Sequence, residues 1–245
     1  MQDIHVETWE EFEGHLQKLL LERAQRRETT ALHISPFLFR GHADASWPLR
    51  TSLERYVQEP PTIEEYYQII HAAKPQIKTY TSLSWNIPAP TNYARWLDGQ
   101  DTLVFGQFPA YDYMVYLRHH GFPSPLLDWT RSPYVAAYFA FMDASEKVKN
   151  VAIYAYWEAV GHGKSGAKGS PCIESLGPYV HSHRRHFLQQ SQYTICSVWK
   201  DGIWHFAQHD DVLASSNTHQ QFPVKSLRQI CWINGTVERS PCHSL

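Results

Sequence analysis

From Tyr134 to Met142 the chain carries nine consecutive residues without a charged side chain, Tyr-Val-Ala-Ala-Tyr-Phe-Ala-Phe-Met. Ser132 and Pro133 precede them as an N-cap and first-turn pair, so the segment is predicted to be a helix. A helix that is apolar all round must be buried on most sides. The chain has the means to bury it, since 43% of its 245 residues are apolar and 14% are aromatic. That suffices for a sizeable core in one large domain. A single domain over residues 1–245 is therefore expected, with an N-terminal helix within 1–30, a core over 31–232 and a tail over 233–245.

Thr8 and Glu11 predict a capping box, followed by a helical stripe of Phe12, Leu16, Leu19 and Leu20 that ends at Arg26-Arg27. A second helix is expected from Thr62 to about Lys78, and a third from Pro109 to His120 with Gly121 as its stop. Residues 81–107 and 161–178 read as loops, the first with short helical turns. Phe37-Leu38-Phe39, Val151–Trp157, Tyr193–Val198 and Phe222–Trp232 read as strands. Helices thus fill the first half and strands the second without βαβ alternation, which predicts an α+β fold on a mainly antiparallel sheet.

The balance of 22 basic and 24 acidic residues leaves no global field to draw in nucleic acid or an anionic membrane. No apolar run approaches membrane-spanning length, and Met1 to His5 lack the blocks of a signal peptide. A soluble, cytoplasmic protein is expected. Cys172, Cys196, Cys231 and Cys242 lack zinc-knuckle spacing and are expected as buried thiols. No metal is expected at His181, His183 and His186, whose loop offers no acidic or Cys partners.

Three segments place polar groups beside core residues. Arg40 follows the apolar run Phe37 to Phe39, and its planar fork suits phosphate or carboxylate. Gly41 would let backbone approach a ligand closely; the structural alternative is an Arg paired with a buried acid. His119, Asp128 and Thr130 lie among Leu126, Leu127 and Trp129, where unpaired polar groups are costly. Asp128 is expected to orient Arg40, His119 or backbone amides, and Asp128 and Thr130 could instead cap the following helix. Arg184 to Thr194 could be a weakly basic loop entering a strand.

Phe39-Arg40-Gly41 with Trp47, Leu49, Ser52-Leu53 and Arg55 resembles the opening motif of the FRG domain, a bacterial and phage module. His119 to Ala140 resembles its central motif and Arg185 to Thr194 its third, so the resemblance covers about residues 30–230. The chain departs from that pattern at Ser124-Pro125, where the family often has Thr-Arg, and at Ser191, where it often has Gly. The motif order is similar to the three-part signature of ADP-ribosyltransferases, which implies an ADP-ribosyltransferase-like sheet. By that resemblance Arg40 would grip the phosphates or ribose of NAD, and Thr130 would order the nicotinamide ribose. Gln189 or Gln190 would meet the ribose in an oxocarbenium-like transition state, with Glu174 as a possible substitute. Phe39, Gly41, His119, Asp128, Ser132 and Tyr138 would complete the ligand site.

The implied function is an NAD-using, ADP-ribosyltransferase-like effector or toxin of bacterial or phage conflict, with NAD as substrate and an unidentified macromolecular acceptor. Because Gln cannot act as a general base, the alternative is a non-catalytic module that senses a nucleotide or other ligand. A nuclease using His119 and Asp128 ranks last, without paired carboxylates at metal-ligand spacing.

Overall fold

The computed structural model describes residues 2–100, 108–145, 147–160, 169–177, 184–215 and 226–233. In chain order these form β1 (Gln2–Val6), α1 (Trp9–Thr29), β2 (Phe37–His42), α2 (Ser52–Tyr56), α3 (Ile63–Thr81) and α4 (Pro90–Asp98). Then come α5 (Tyr111–His119), β3 (Leu127–Thr130), α6 (Pro133–Met142), β4 (Asn150–Trp157) and β5 (Cys172–Leu176). The last elements are α7 (Arg184–Leu188), β6 (Ser191–Lys200), β7 (Ile203–Phe206), α8 (His209–Ser215) and β8 (Ser226–Ile233).

The capping signals act as local chemistry predicts. Thr8 Oγ1 accepts the Glu11 amide at 3.2 Å, although the Glu11 carboxylate reaches back to the amide of Glu7 rather than to that of Thr8. Helix α1 continues past Arg26-Arg27 to Thr29, because cations are favourable in a last turn. Ser132 caps α6 through the Val135 amide at 3.3 Å, and Gly121, at φ 82°, takes the left-handed turn after α5.

Three expectations need correction. Residues 90–98 form a helix, started by Pro90 at its first position, where a missing N–H costs nothing. Cys172–Leu176 is a strand rather than loop, held by pairing with β6. Arg184–Leu188 is a short helix. The strand expected over Phe222–Trp232 is β8, Ser226–Ile233; positions 222–225 lie outside the described residues, as do His181, His183 and the 233–245 tail beyond Ile233.

One mixed sheet runs in the order β1-β8-β4-β2-β3-β6-β5, with β7 paired to β6. Among the described strands only the β1–β8 pair is parallel, so the fold is α+β with a mainly antiparallel sheet. The period of two is visible in β4: Val151, Ile153, Ala155 and Trp157 pack with α1 and α6, while Ala152, Tyr154 and Tyr156 join the opposite layer with Leu38, Leu49 and Trp129. Helices α3, α4 and α5 pack a third cluster against Tyr193, Ile195 and Trp204. No helix among the described residues is long and apolar enough to cross a membrane.

Gly41 is required by this packing, and it also lines the cavity that opens between β2 and β3. A Cβ there would overlap the carbonyl oxygen of Ala136 and lie 2.7 Å from the Ala140 amide nitrogen. The backbone of α6 therefore rests directly on β2.

Candidate functional site

Strands β2 and β3 are neighbours in the sheet, yet they pair only at Phe39 and Thr130. Beyond that point Arg40 to His42 and Asp128 lack partners across the gap, and a cavity of about 760 Å³ opens there. It is lined by β2 and β3, by Val135, Ala136 and Phe139 of α6, and by His119, Gln189 and Tyr193. Backbone groups in a split sheet need other partners. Arg40 supplies one: its Nη1 donates to the Asp128 carbonyl at 2.8 Å.

The guanidinium is held from two sides. Arg40 Nε donates to His42 Nε2 at 2.9 Å, and His42 Nδ1 lies 3.2 Å from the Trp47 carbonyl. This arrangement requires a neutral imidazole protonated on Nδ1. Burial and then the Arg40 charge push His42 down to about 3, so the ring stays neutral. Burial also pulls Arg40 down to about 10, against the attraction of Asp128, and it remains a cation at neutral pH. No carboxylate bonds it among the described residues, and its second terminal nitrogen has no hydrogen-bond partner among them.

The partner of the Asp128 carboxylate is Arg118, which sequence reasoning did not single out. Arg118 Nε meets Oδ1 at 2.5 Å, and Nη2 meets Oδ2, as a bidentate pair. Arg118 Nη1 also donates to Ser52 Oγ at 3.1 Å. Burial would raise the Asp128 carboxyl, but Arg118 and then Arg40 bring it below the ordinary carboxylate value. The Arg118 side chain is 12% exposed and that of Asp128 43%. Asp128→Asn should therefore lower stability by about 2 kcal/mol, less than the loss for a fully buried pair because one partner is wet. A urea melt measures this; unchanged melting with lost ligand binding would give Asp128 a direct chemical role instead.

Thr130 lines the cavity, but its hydroxyl is engaged twice. It donates to the Gln189 carbonyl at 2.6 Å and accepts the Ser132 amide at 3.0 Å. Gln189 reaches the cavity, whereas Gln190, at φ 49°, is exposed on the turn before β6 and does not line it. Ser132 serves α6 as its cap, and Tyr138 is 61% exposed away from the cavity. Phe39 borders the cavity while its ring belongs to the α1–α6 cluster. Glu174 lines a different cavity. His119 Nε2 lies 2.9 Å from the Tyr193 hydroxyl, and burial lowers its basicity. Among the described residues no group of three or more His, Cys, Asp or Glu could hold a metal ion; Cys196 is a buried thiol and Cys172 a half-buried one.

Arg50 and Arg55 also line the cavity and were missed as a charged set. With Asp128 matched to Arg118, Arg40, Arg50 and Arg55 face Asp143 on the wall, so the cavity carries an excess of positive charge. The period of two in β2 puts Arg40 and His42 on one face, but Arg50 and Arg55 lie outside that strand and carried no such signal.

Beneath the site, Trp129 Nε1 donates to Thr194 Oγ1 at 2.8 Å, and that hydroxyl meets His209 Nε2 at 2.8 Å. Burial, then the nearby Arg40 charge, push His209 down to about 3. The sign of the pH effect follows from both histidines. Unfolded histidines take up protons near about 6.5, while His42 and His209 refuse them until about 3. Stability is therefore full above about pH 6.5 and falls as the pH drops below it. Melting temperature should decline from about pH 7.5 to about pH 5, with a shallower slope in His42→Gln; equal slopes would remove His42 from the effect.

Residues 35–149 match the family model described as the FRG domain. No curated protein and no solved structure matches the chain.

Proposed function

Because the chain carries an FRG domain across residues 35–149, we propose that its cleft binds NAD and that the protein is an ADP-ribosyltransferase-like effector or toxin of bacterial or phage conflict. The observation that carries this reading is Arg40, a buried cation between β2 and β3 with a donor left over for a ligand. A guanidinium fixed by His42 and the Asp128 carbonyl is preorganised to take a phosphate oxygen. The volume of about 760 Å³ suits a nucleotide, since ligand cavities run to roughly 300–1,000 Å³. The excess of arginines favours a diphosphate over a neutral ligand. Gln189 lines the same cavity and would contact a ribose bound there.

A second reading, a module that senses a nucleotide without consuming it, is favoured by one observation. Asp128 is clamped by Arg118, and Glu174 lies in another cavity, so neither is a ready general base. Calorimetric titration with NAD and an assay for free nicotinamide separate the readings. Binding with nicotinamide release supports the enzyme. Binding without release, across protein and nucleic-acid acceptors, supports the sensor, and the absence of any NAD binding overturns both as NAD proteins.

A further inference from the structure

A smaller cavity of about 300 Å³, lined by Ser52 of α2 and by Gly121 and Phe122 after α5, adjoins the first. Arg55, His119 and Asp128 line both, so the two cavities meet at these three side chains. Of the three, His119 is the one able to take up a proton. Arg55 keeps its own at any working pH, and both carboxylate oxygens of Asp128 are held by Arg118. His119 is exposed at the end of α5, with Nε2 2.9 Å from the Tyr193 hydroxyl and no hydrogen bond to its Nδ1 among the described residues. The Tyr193 hydroxyl also lies 3.4 Å from His186 Nδ1. Both distances are satisfied when His119 Nε2–H donates to the Tyr193 oxygen and the Tyr193 O–H turns to His186. That tautomer leaves the lone pair of His119 Nδ1 open. The other bases of the first cavity are engaged or remote. His42 accepts from Arg40 on one nitrogen and faces the Trp47 carbonyl with the other. Asp143 follows the last residue of the ten-residue helix α6, roughly 15 Å along the axis from the end next to Thr130.

We propose that His119 is the general base of the site, and that the smaller cavity is the port by which an accepting hydroxyl or water reaches it. The proposal rests on the NAD reading of the first cavity. In this step the acceptor oxygen bonds to C1′ of the nicotinamide ribose while its proton passes to His119 Nδ1. The C1′–N bond breaks, and its electron pair neutralises the pyridinium of the departing nicotinamide. His119 then gives the proton to solvent, to which it is exposed. A base must be neutral before the step. Burial lowers the basicity of His119; Asp128 opposes this, and Arg118, His186 and His120 add to it. With Arg55 and Tyr193, these are the charged and titratable groups around the ring. His119 thus supplies the proton acceptor that Gln189 cannot be.

The test measures nicotinamide release from NAD by the wild type and by His119→Asn, with water and with protein and nucleic-acid acceptors. His119→Asn should fold and bind NAD within about three-fold of the wild type, but release nicotinamide about 100-fold more slowly. Neutral histidine prevails above its ordinary value of about 6.5. Wild-type release should therefore hold above that pH and fall below it, whereas His119→Asn should lack this acid limb. Azide, an anion with no proton to surrender, should restore release in His119→Asn. If both proteins bind NAD and release nicotinamide alike, or if the acid limb persists in His119→Asn, the base falls while the NAD reading stands. A slowed His119→Asn protein that azide leaves slow makes His119 a positioning residue and overturns the proposal. A wild type that binds NAD without release, or does not bind it, overturns the base together with the enzyme reading.

Discussion

Gly41→Ala is expected to cost about 3 kcal/mol or more of stability, at the top of the range for overpacked sites. The added methyl would occupy the space of the Ala136 carbonyl oxygen and crowd the Ala140 amide. Both obstacles are backbone, so no side-chain rotation relieves them; α6 must lift from β2. That lift would also open the layer formed by Phe39, Ala137 and Ile153. Gly121→Ala is the control. Gly121 sits at φ 82°, and a methyl added there would find nothing within 4 Å, so only the left-handed backbone is penalised, by about 1 kcal/mol. Thermal or urea unfolding of both variants measures the gap. A Gly41→Ala protein as stable as Gly121→Ala would show that α6 and β2 are not in backbone contact.

The glycine illustrates what the chain discloses locally and what it withholds. Helix α6 was legible because its cap, its proline and its unbroken apolar run are neighbours in sequence. Strand β4 was legible because alternation is a local pattern that both faces reinforce. Strand β5 was not: five residues, Cys172–Leu176, carry no clear alternation and depend on β6 for their pairing. Strand β1 is likewise held by β8, more than two hundred positions away. Proline at the first position of α4 was a usable signal, outweighed by the surrounding Asn and Pro.

The site divides the same way. Arg40, Asp128 and Thr130 stood out because polar groups amid core residues demand partners, and all three line one cavity. Which partners they take is tertiary information. Arg118 and Asp128 form an ion pair across the turn that returns from α5 to β3, with Ser52 bracing the guanidinium from α2. The Thr130 hydroxyl donates to the Gln189 carbonyl and accepts the Ser132 amide while lining the cavity. Gln190 and Tyr138 were drawn into the expected site by motif position, and the turn and the helix face direct them elsewhere.

On the proposed function, Arg40→Lys should weaken NAD and ADP-ribose about 100-fold, equivalent to about 2.7 kcal/mol, while nicotinamide alone is unaffected. Arginine here makes two engagements in one plane, Nε to His42 and Nη1 to the Asp128 carbonyl, and keeps Nη2 without a hydrogen-bond partner among the described residues. A lysine ammonium is a single point on a flexible stem. It can bond His42 or the Asp128 carbonyl, but it cannot hold both and still offer a fixed donor to a phosphate. The Asp128 carbonyl would lose its cover in part, so stability should drop by only about 1 kcal/mol. The small structural loss and the large binding loss are read separately, by melting and by calorimetry. Gln189→Ala should leave affinity within about three-fold and slow nicotinamide release instead, since an amide that meets developing charge acts mainly in the transition state. An Arg40→Lys protein that binds ADP-ribose as tightly as the wild type would remove the diphosphate from the cleft and with it the assignment of NAD.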